Sequence, residues 1–180
     1  MGNRPVTGTT EGRSYGLEFF AQQRLNKGFY GIFALTLYRS EFKDKNEEYV
    51  QSSWNNRFIL SVTAGKILPR NWEIGAKVRY TGGAPYTPYD IPYSSLKSNY
   101  SVYPQGIQDY DKLNVSRLKD FYQADIRIDK KYPFKKFNLN VYLDIQNFTY
   151  NKYETQPQLV LDRDVSGNAQ DTPGDPSRFK

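Results

Sequence analysis

The sequence predicts an all-β fold, a segment of an antiparallel transmembrane β-barrel with about six long strands, short periplasmic turns and long extracellular loops. Three observations predict it. Apolar and polar residues alternate with period two in six stretches of ten to thirteen residues, about twice the ~5–6 of an ordinary strand and close to the ~9–11 that cross a bilayer at a tilt. The connections alternate between short and long, as they do in barrels with turns at one end and loops at the other. Aromatic residues gather near the ends of the apolar faces, where interfacial girdles sit.

Residues 1–13 form a lead-in without periodicity. The first strand, 14–23, places Tyr15, Leu17, Phe19 and Ala21 on one face. The second, 29–40, gathers Phe29, Phe33, Leu35 and Leu37 opposite Thr36, Tyr38 and Ser40, although Phe20 and Ile32 blur the faces of this first pair. The third, 54–66, sets Phe58, Leu60, Val62 and Ala64 against Arg57, Ser61, Thr63 and Gly65. The fourth, 71–82, alternates Trp72, Ile74, Ala76, Val78 and Tyr80 with Glu73, Gly75, Lys77 and Arg79. After the long loop 83–120 comes the fifth, 121–132, with Tyr122, Ala124, Ile126 and Ile128 against Gln123, Asp125, Arg127 and Asp129. The sixth, 137–148, sets Phe137, Leu139, Val141, Leu143 and Ile145 against Asn138, Asn140, Tyr142, Asp144 and Gln146. Residues 149–180 read as an extracellular-type loop with no final strand after it.

Alternation alone fits a soluble sheet as well as a membrane wall, because both wet one face. Strand length and connections favour the membrane, and energy then fixes the orientation. Turning the fourth strand round would bring Lys77 to the bilayer centre at about 2–4 kcal/mol, with Glu73 and Arg79 adding to it. The apolar parity therefore faces lipid. Glu73, Lys77, Arg79, Asp125, Arg127, Asp129, Asn140, Asp144 and Gln146 are the expected lumen-facing residues, whose plainer role is a cross-strand ladder stiffening the wall. Trp54, Trp72, Tyr80, Tyr122, Tyr132, Phe137, Phe148 and Tyr150 are the expected interfacial girdle.

Composition narrows the chemistry. Only 38% of the 180 residues are hydrophobic and mean hydropathy is -0.77, while tyrosine alone supplies 16 residues, a ring suited to boundaries between wet and dry surroundings. No stretch reaches the ~18 consecutive apolar residues of a membrane helix. The absence of cysteine and histidine removes thiolate chemistry, the commonest general base and the commonest transition-metal ligand. The net charge of +6 is spread along the chain without a dense basic run, so nucleic acid is not an expected partner. The expectation is a non-enzyme without cofactor or metal. The opening MGNRPVTGTT has no apolar core of the kind a secretory signal carries, which reads as a cytosolic start or an internal piece of a longer chain.

RYTGGAPYTPYD (79–90), NVSRLKDFYQADIRIDKKY (114–132) and FNLNVYLDIQNFTYNKY (137–153), preceded by GRSYGLEFFAQQRL (12–25), resemble the C-terminal barrel strands of TonB-dependent outer-membrane receptors, particularly those of Bacteroidota. The resemblance covers residues from about 12 to 153, and its most specific element is the order of the motifs. It implies a bacterial outer-membrane location, a barrel of about 22 strands closed by a plug, and import of an iron chelate, vitamin or oligosaccharide driven through TonB. The implied partners are outer-membrane lipid, the plug domain and remaining strands, TonB through a region outside this sequence, and a small-molecule nutrient. On this reading the chain carries roughly strands sixteen to twenty-one and is inactive alone.

Tyr86, Tyr89, Tyr93, Tyr100 and Tyr103 in the long loop are candidate ligand contacts, offering rigid amphipathic area; the plainer reading is a loop folded on itself around Pro85, Pro88 and Pro92. DRDVSG (162–167) opens like a calcium loop, with Asp162, Asp164 and Ser166 before Gly167, but the twelfth position is Pro173 instead of a bidentate glutamate. Two other functions fit the same sequence: a small outer-membrane barrel or adhesin, and a soluble tyrosine-rich carbohydrate-binding β-domain.

Overall fold

The computed structural model of the chain describes residues 11–94, 96–103 and 105–157. They form an antiparallel β-meander with little helix. The long strands are β1 (Gly12–Asn26), β2 (Phe29–Lys43), β4 (Phe58–Leu68), β5 (Trp72–Thr81), β8 (Phe121–Pro133) and β9 (Asn138–Ile145), hydrogen-bonded in that order, with a short β3 (Tyr49–Gln51) added to the far end of β2. A separate ribbon pairs β6 (Pro85–Tyr86) with β7 (Ser116–Arg117). The main sheet is open: among the described residues β1 and β9 each pair on one side only.

The turns at one end are tight because their sequences accept left-handed backbone. Lys27 (φ 51°) and Gly28 (φ 80°) make a two-residue link between β1 and β2, the mirror-image turn whose twist matches that of paired strands. Arg70 and Asn71 (both φ 61°) turn β4 into β5. Between β8 and β9 the Phe134 N–H donates to the Phe137 carbonyl at 2.9 Å, and the two rings stack with centroids 4.7 Å apart.

Register carries the alternation across the sheet. Phe33 lies beside Val62, Val62 beside Val78, and Val78 beside Ala124. One row further, Gly31, Ala64, Ala76, Ile126 and Ile145 are neighbours in turn. Every long strand thus presents its apolar parity on the same face, and nothing among the described residues covers it: Leu17 is 64% exposed and Leu143 59%. Ala124 is the sole buried apolar residue among those described.

The opposite face is polar unevenly. Under β5, β8 and β9 it carries most of its charge, whereas under β2 and β4 it carries Ser, Thr and apolar residues such as Ile32 and Ile59, and β1 brings Phe20 beside the charged Glu18. Tyr30 marks the border. Its direct cross-strand neighbour is Gly65, whose own neighbour on β5 is Gly75. A Cβ at Gly65 would lie 2.4 Å from the Tyr30 ring, so the ring lies flat over β4 and reaches Glu73 with its hydroxyl at 2.7 Å.

The strand ends differ from those that alternation alone marks. β4 starts at Phe58 instead of residue 54, because residues 54–57 form a turn in which the Asn55 N–H donates to the Ser52 carbonyl and Arg57 takes φ 69°. β9 ends at Ile145 instead of 148, where Asn147 (φ 48°) and Tyr150 (φ 55°) turn the chain away. β1 and β2 are longer than expected at their shared outer end, where Glu41 is buried between Arg13 and Arg39. The described residues of 83–120 are folded, with α1 (Ile91–Ser94), α2 (Lys97–Val102) and a 3₁₀ turn at Tyr110–Lys112 between β6 and β7.

The Tyr30 notch makes a prediction about stability. Gly65→Ala is expected to cost about 1–3 kcal/mol by forcing the ring out of place, measured by equilibrium unfolding. The same substitution in a Tyr30→Ala background should cost far less, and equal costs in both backgrounds would show that no notch exists.

Candidate functional site

The charged half of the polar face is built by register. Glu73 lies opposite Asp129, Lys77 opposite Asp125, and Arg79 opposite Gln123; Arg127 lies between Gly75 and Asp144, and Asp129 also meets Tyr142. Lys77 and Asp125 are opposite charges directly across the strands, where pairing is favourable, whereas Glu73 and Asp129 are like charges directly opposite, each held by its own cation, Lys131 and Arg127. Arg127 donates two hydrogen bonds to Asp129, each 2.9 Å, and its guanidinium lies 3.9 Å from the centre of the Tyr142 ring. Asn140 also donates to Asp129, at 3.0 Å. Glu73 accepts from Tyr30 and Lys131, both at 2.7 Å. Arg79 donates to Gln123 and Gln123 to Asp125, which accepts also from the Asn147 backbone. Asp144 accepts from Gln146, just past the end of β9.

All nine expected lumen-side residues thus fall in one patch. Near its middle is an open concavity of about 310 Å³ where Lys77, Asp125, Arg127, Asp144 and Gln146 converge beside Gly75. Its charges are of both signs, with Arg127 held by Asp129 and the Asp125 and Asp144 carboxylates accepting from neutral amide donors, so it can hold polar solutes or a polar protein surface. Sequence reasoning missed Tyr30, Lys131 and Tyr142 as partners in this network. The signal for Tyr30 was available in glycines at the polar parity of two consecutive strands, Gly65 and Gly75.

The aromatic residues fall in two groups. At the loop end, Phe58, Tyr80 and Tyr122 form a stacked row across β4, β5 and β8, with centroids 5.3 Å and 6.4 Å apart. At the turn end, Trp72 and Tyr132 flank the Lys130 ammonium at 5.0 Å and 5.5 Å, and Phe137 sits just before β9. Trp54 lies in the loop before β4 and is 79% exposed; Phe148 and Tyr150 lie past the end of β9. Those three are on connections because the flanking turns end the strands before reaching them.

At the loop end a second cluster ties the connections together through Arg117. Its guanidinium donates to the backbone carbonyls of Asn55 (2.7 Å) and Gly83 (2.8 Å) and to the Gln51 side chain. Asn114 donates to the Gln51 carbonyl at 2.7 Å, and its backbone N–H donates to the Thr87 hydroxyl at 3.1 Å. Burial, reinforced by the neighbouring Arg57 charge, pushes the Arg117 guanidinium below its ordinary pKa. Asp120 anchors the same region, accepting from the Tyr80 hydroxyl and the Gly83 backbone, each at 2.9 Å. The residues after β9 return to this loop: Gln156 donates to the Thr87 carbonyl, Tyr153 packs edge-on against Phe121, and Lys119 pairs with Glu154 at 2.7 Å.

The five loop tyrosines are spread over this structure. Tyr86 is half-buried in β6, Tyr89 bridges to the Gln108 backbone, Tyr93 in α1 is exposed, and Tyr103 ends α2 in an exposed position. The side chain of Tyr100 lies outside the described residues, as does the acidic run 162–167. Comparison of the chain with protein-family models, with curated proteins and with solved structures finds no match.

Two outcomes follow at the loop end. The Lys119 ammonium lowers the Glu154 carboxyl from its ordinary value, so the contact is complete above the ordinary carboxylate range and is lost as pH falls through the lowered value. An NMR titration should place the Glu154 midpoint below that of an ordinary glutamate, and Lys119→Ala should return it upward; an unmoved midpoint would refute the pairing. Arg117→Ala removes three hydrogen bonds and should cost about 2–3 kcal/mol, seen as faster amide exchange at Gly82–Gly83 and Asn114; unchanged exchange there would mean that the loops hold without it.

Proposed function

We propose that this sheet is a section of the wall of an outer-membrane β-barrel, the C-terminal barrel part of a TonB-dependent receptor that takes up a scarce nutrient. The observation that carries the wall reading is the continuous apolar face running through all six long strands, backed by a polar face on the same residues' alternate positions. An uncovered apolar face of this extent has a favourable solvent in lipid and an unfavourable one in water. Trp72 and Tyr80 bound the band on β5, about 26 Å apart along the strand at ~3.3 Å per residue; at the ~35–45° tilt of barrel strands this rises about 19–22 Å, somewhat short of the ~25 Å apolar band, with the two rings at its borders.

The ends of the band have the chemistry of interfaces. On β1 and β2 it gives way to Arg13, Arg39 and Glu41 at the loop end. At the turn end Lys66 and Lys130 stand at the apolar parity, within reach of water, and Lys130 bends to donate to the Arg70 carbonyl; lysines at such a depth carry the ammonium out to the boundary. The short turns then face the periplasm and the folded loop 83–120 faces outward. In lipid, an open sheet leaves the edges of β1 and β9 unsatisfied, so the working protein supplies further strands to both. The paired polar face would line the lumen, where a plug or a moving solute meets it. The receptor assignment rests on the order of the motifs at 79–90, 114–132 and 137–153.

The wall is tested by charge placement. Ala76→Lys, at mid-height on the apolar face, is expected to cost about 2–4 kcal/mol in lipid vesicles, whereas Thr36→Lys on the polar face should be nearly neutral; equal effects would rule out a lipid-facing side. The receptor reading expects that disrupting the gene abolishes energy-dependent uptake of one iron chelate, vitamin or oligosaccharide, and unaltered uptake of all three classes would refute it.

A further inference from the structure

We propose that the loop end of the sheet, beyond β2 and β4, binds a small soluble oxyanion, a solute bearing carboxylate or phosphate groups, with Arg57 as its direct contact. The inference stands on the loop geometry and is independent of the membrane reading. A concavity of about 370 Å³ is lined there by Tyr38, Arg39, Gln51, Asn55 and Arg57, at the small end of the volumes that hold ligands. Arg39 is already committed to Glu41 at 2.6 Å. Arg57 is exposed, and among the described residues no carboxylate lies within ion-pair distance of it.

Two features single out Arg57 from an ordinary surface arginine. Its backbone is held at φ 69°, a conformation unfavourable for a long side chain and kept only where the surroundings enforce it. The enforcement is visible: the Tyr38 N–H donates to the Arg57 carbonyl at 2.8 Å, and the Asn56 side chain on the preceding residue donates to the Gly82 carbonyl at 2.8 Å. The second feature is the charge behind it. Arg117 is partly buried, is hydrogen-bonded only to neutral oxygens, and has a buried Nε–H without a partner. The Arg57 and Arg117 charges act on one another, and with Arg39 held by Glu41 the Arg57 charge in the concavity is left for an anion to meet. The Arg57 fork matches a planar carboxylate or a phosphate face. Asp120, the acid that acts on Arg117, is hydrogen-bonded by Tyr80 and Gly83.

The test uses the full chain in detergent, titrated separately with inorganic phosphate and with citrate at an ionic strength fixed by sodium chloride, followed by calorimetry and by amide shifts at Tyr38 and Asn55. Saturable binding of at least one of the two is expected. Arg57→Gln should weaken it about tenfold or more, the loss of one charge-assisted contact, while Arg57→Lys keeps part of the affinity. Arg70→Gln, at the opposite end of the sheet, should leave it unchanged, and unaltered amide signals along β8 and β9 would show that the variants keep the fold. Absence of saturable binding to either probe, equal weakening by Arg57→Gln and Arg70→Gln, or binding only to vesicles containing phosphatidylglycerol would overturn the proposal.

Discussion

Everything in this sheet depends on the phase of the strands relative to one another. A strand's side chains alternate faces, so a slip of one residue in any pairing moves that strand's whole apolar set to the wrong side. From β1 to β9 no such slip occurs: the single irregularity, between Gln23 and Asn26, lies at the turn end of the first hairpin. The tight turns help to set that phase. Lys27–Gly28 and Arg70–Asn71 adopt left-handed backbone and fix which residues pair, so the turn sequences and the hydrophobic pattern specify the same register. Consistency of this kind between local and global preferences is what lets a long meander settle on one pairing.

With the phase fixed, the two faces have different physics. Among the described residues nothing packs over the apolar face, and the main sheet has one buried apolar residue, Ala124. The polar face is stabilised from within. Asp129 is buried yet satisfied by Arg127 and Asn140, and Glu73 is satisfied by Tyr30 and Lys131. Those contacts span β2, β5, β8 and β9, so side chains cross-brace strands that the backbone ladder joins only pairwise. The bracing stops at Tyr30, beyond which β2 and β4 turn to Ser, Thr and isolated apolar residues and β1 brings Glu18. The polar face of the sheet is thus densely charged on one half and milder on the other.

Much of this was legible in the sequence because period two is a strong signal when sustained over ten residues. The faces of β4, β5, β8 and β9 could be written down from residues such as Val62, Val78, Ile126 and Leu143. The ends could not. Trp54 continues the alternation on paper, but Asn55 and Asn56 use their side chains to bind neighbouring backbone and stop the strand. Phe148 fails likewise beyond Asn147. The loop 83–120 was harder still, because its order comes from contacts distant in sequence: Thr87 with Asn114, Gln51 with Arg117, Ser94 with Ile107. No local pattern announces a pairing of that kind. Tyr30 lies between these cases, since a large ring opposite two glycines is a readable hint only once the register is known.

The central claim is that the solvent changes from one residue to the next along β5. Because the chain has no cysteine, single cysteines at positions 74 to 79 can each carry a nitroxide without other changes. In lipid vesicles, with any further strands the protein supplies, collision rates with oxygen and with a water-soluble nickel complex should alternate with period two: oxygen favoured at 74, 76 and 78, nickel at 75, 77 and 79. A flat profile, or both faces equally open to nickel, would contradict the account.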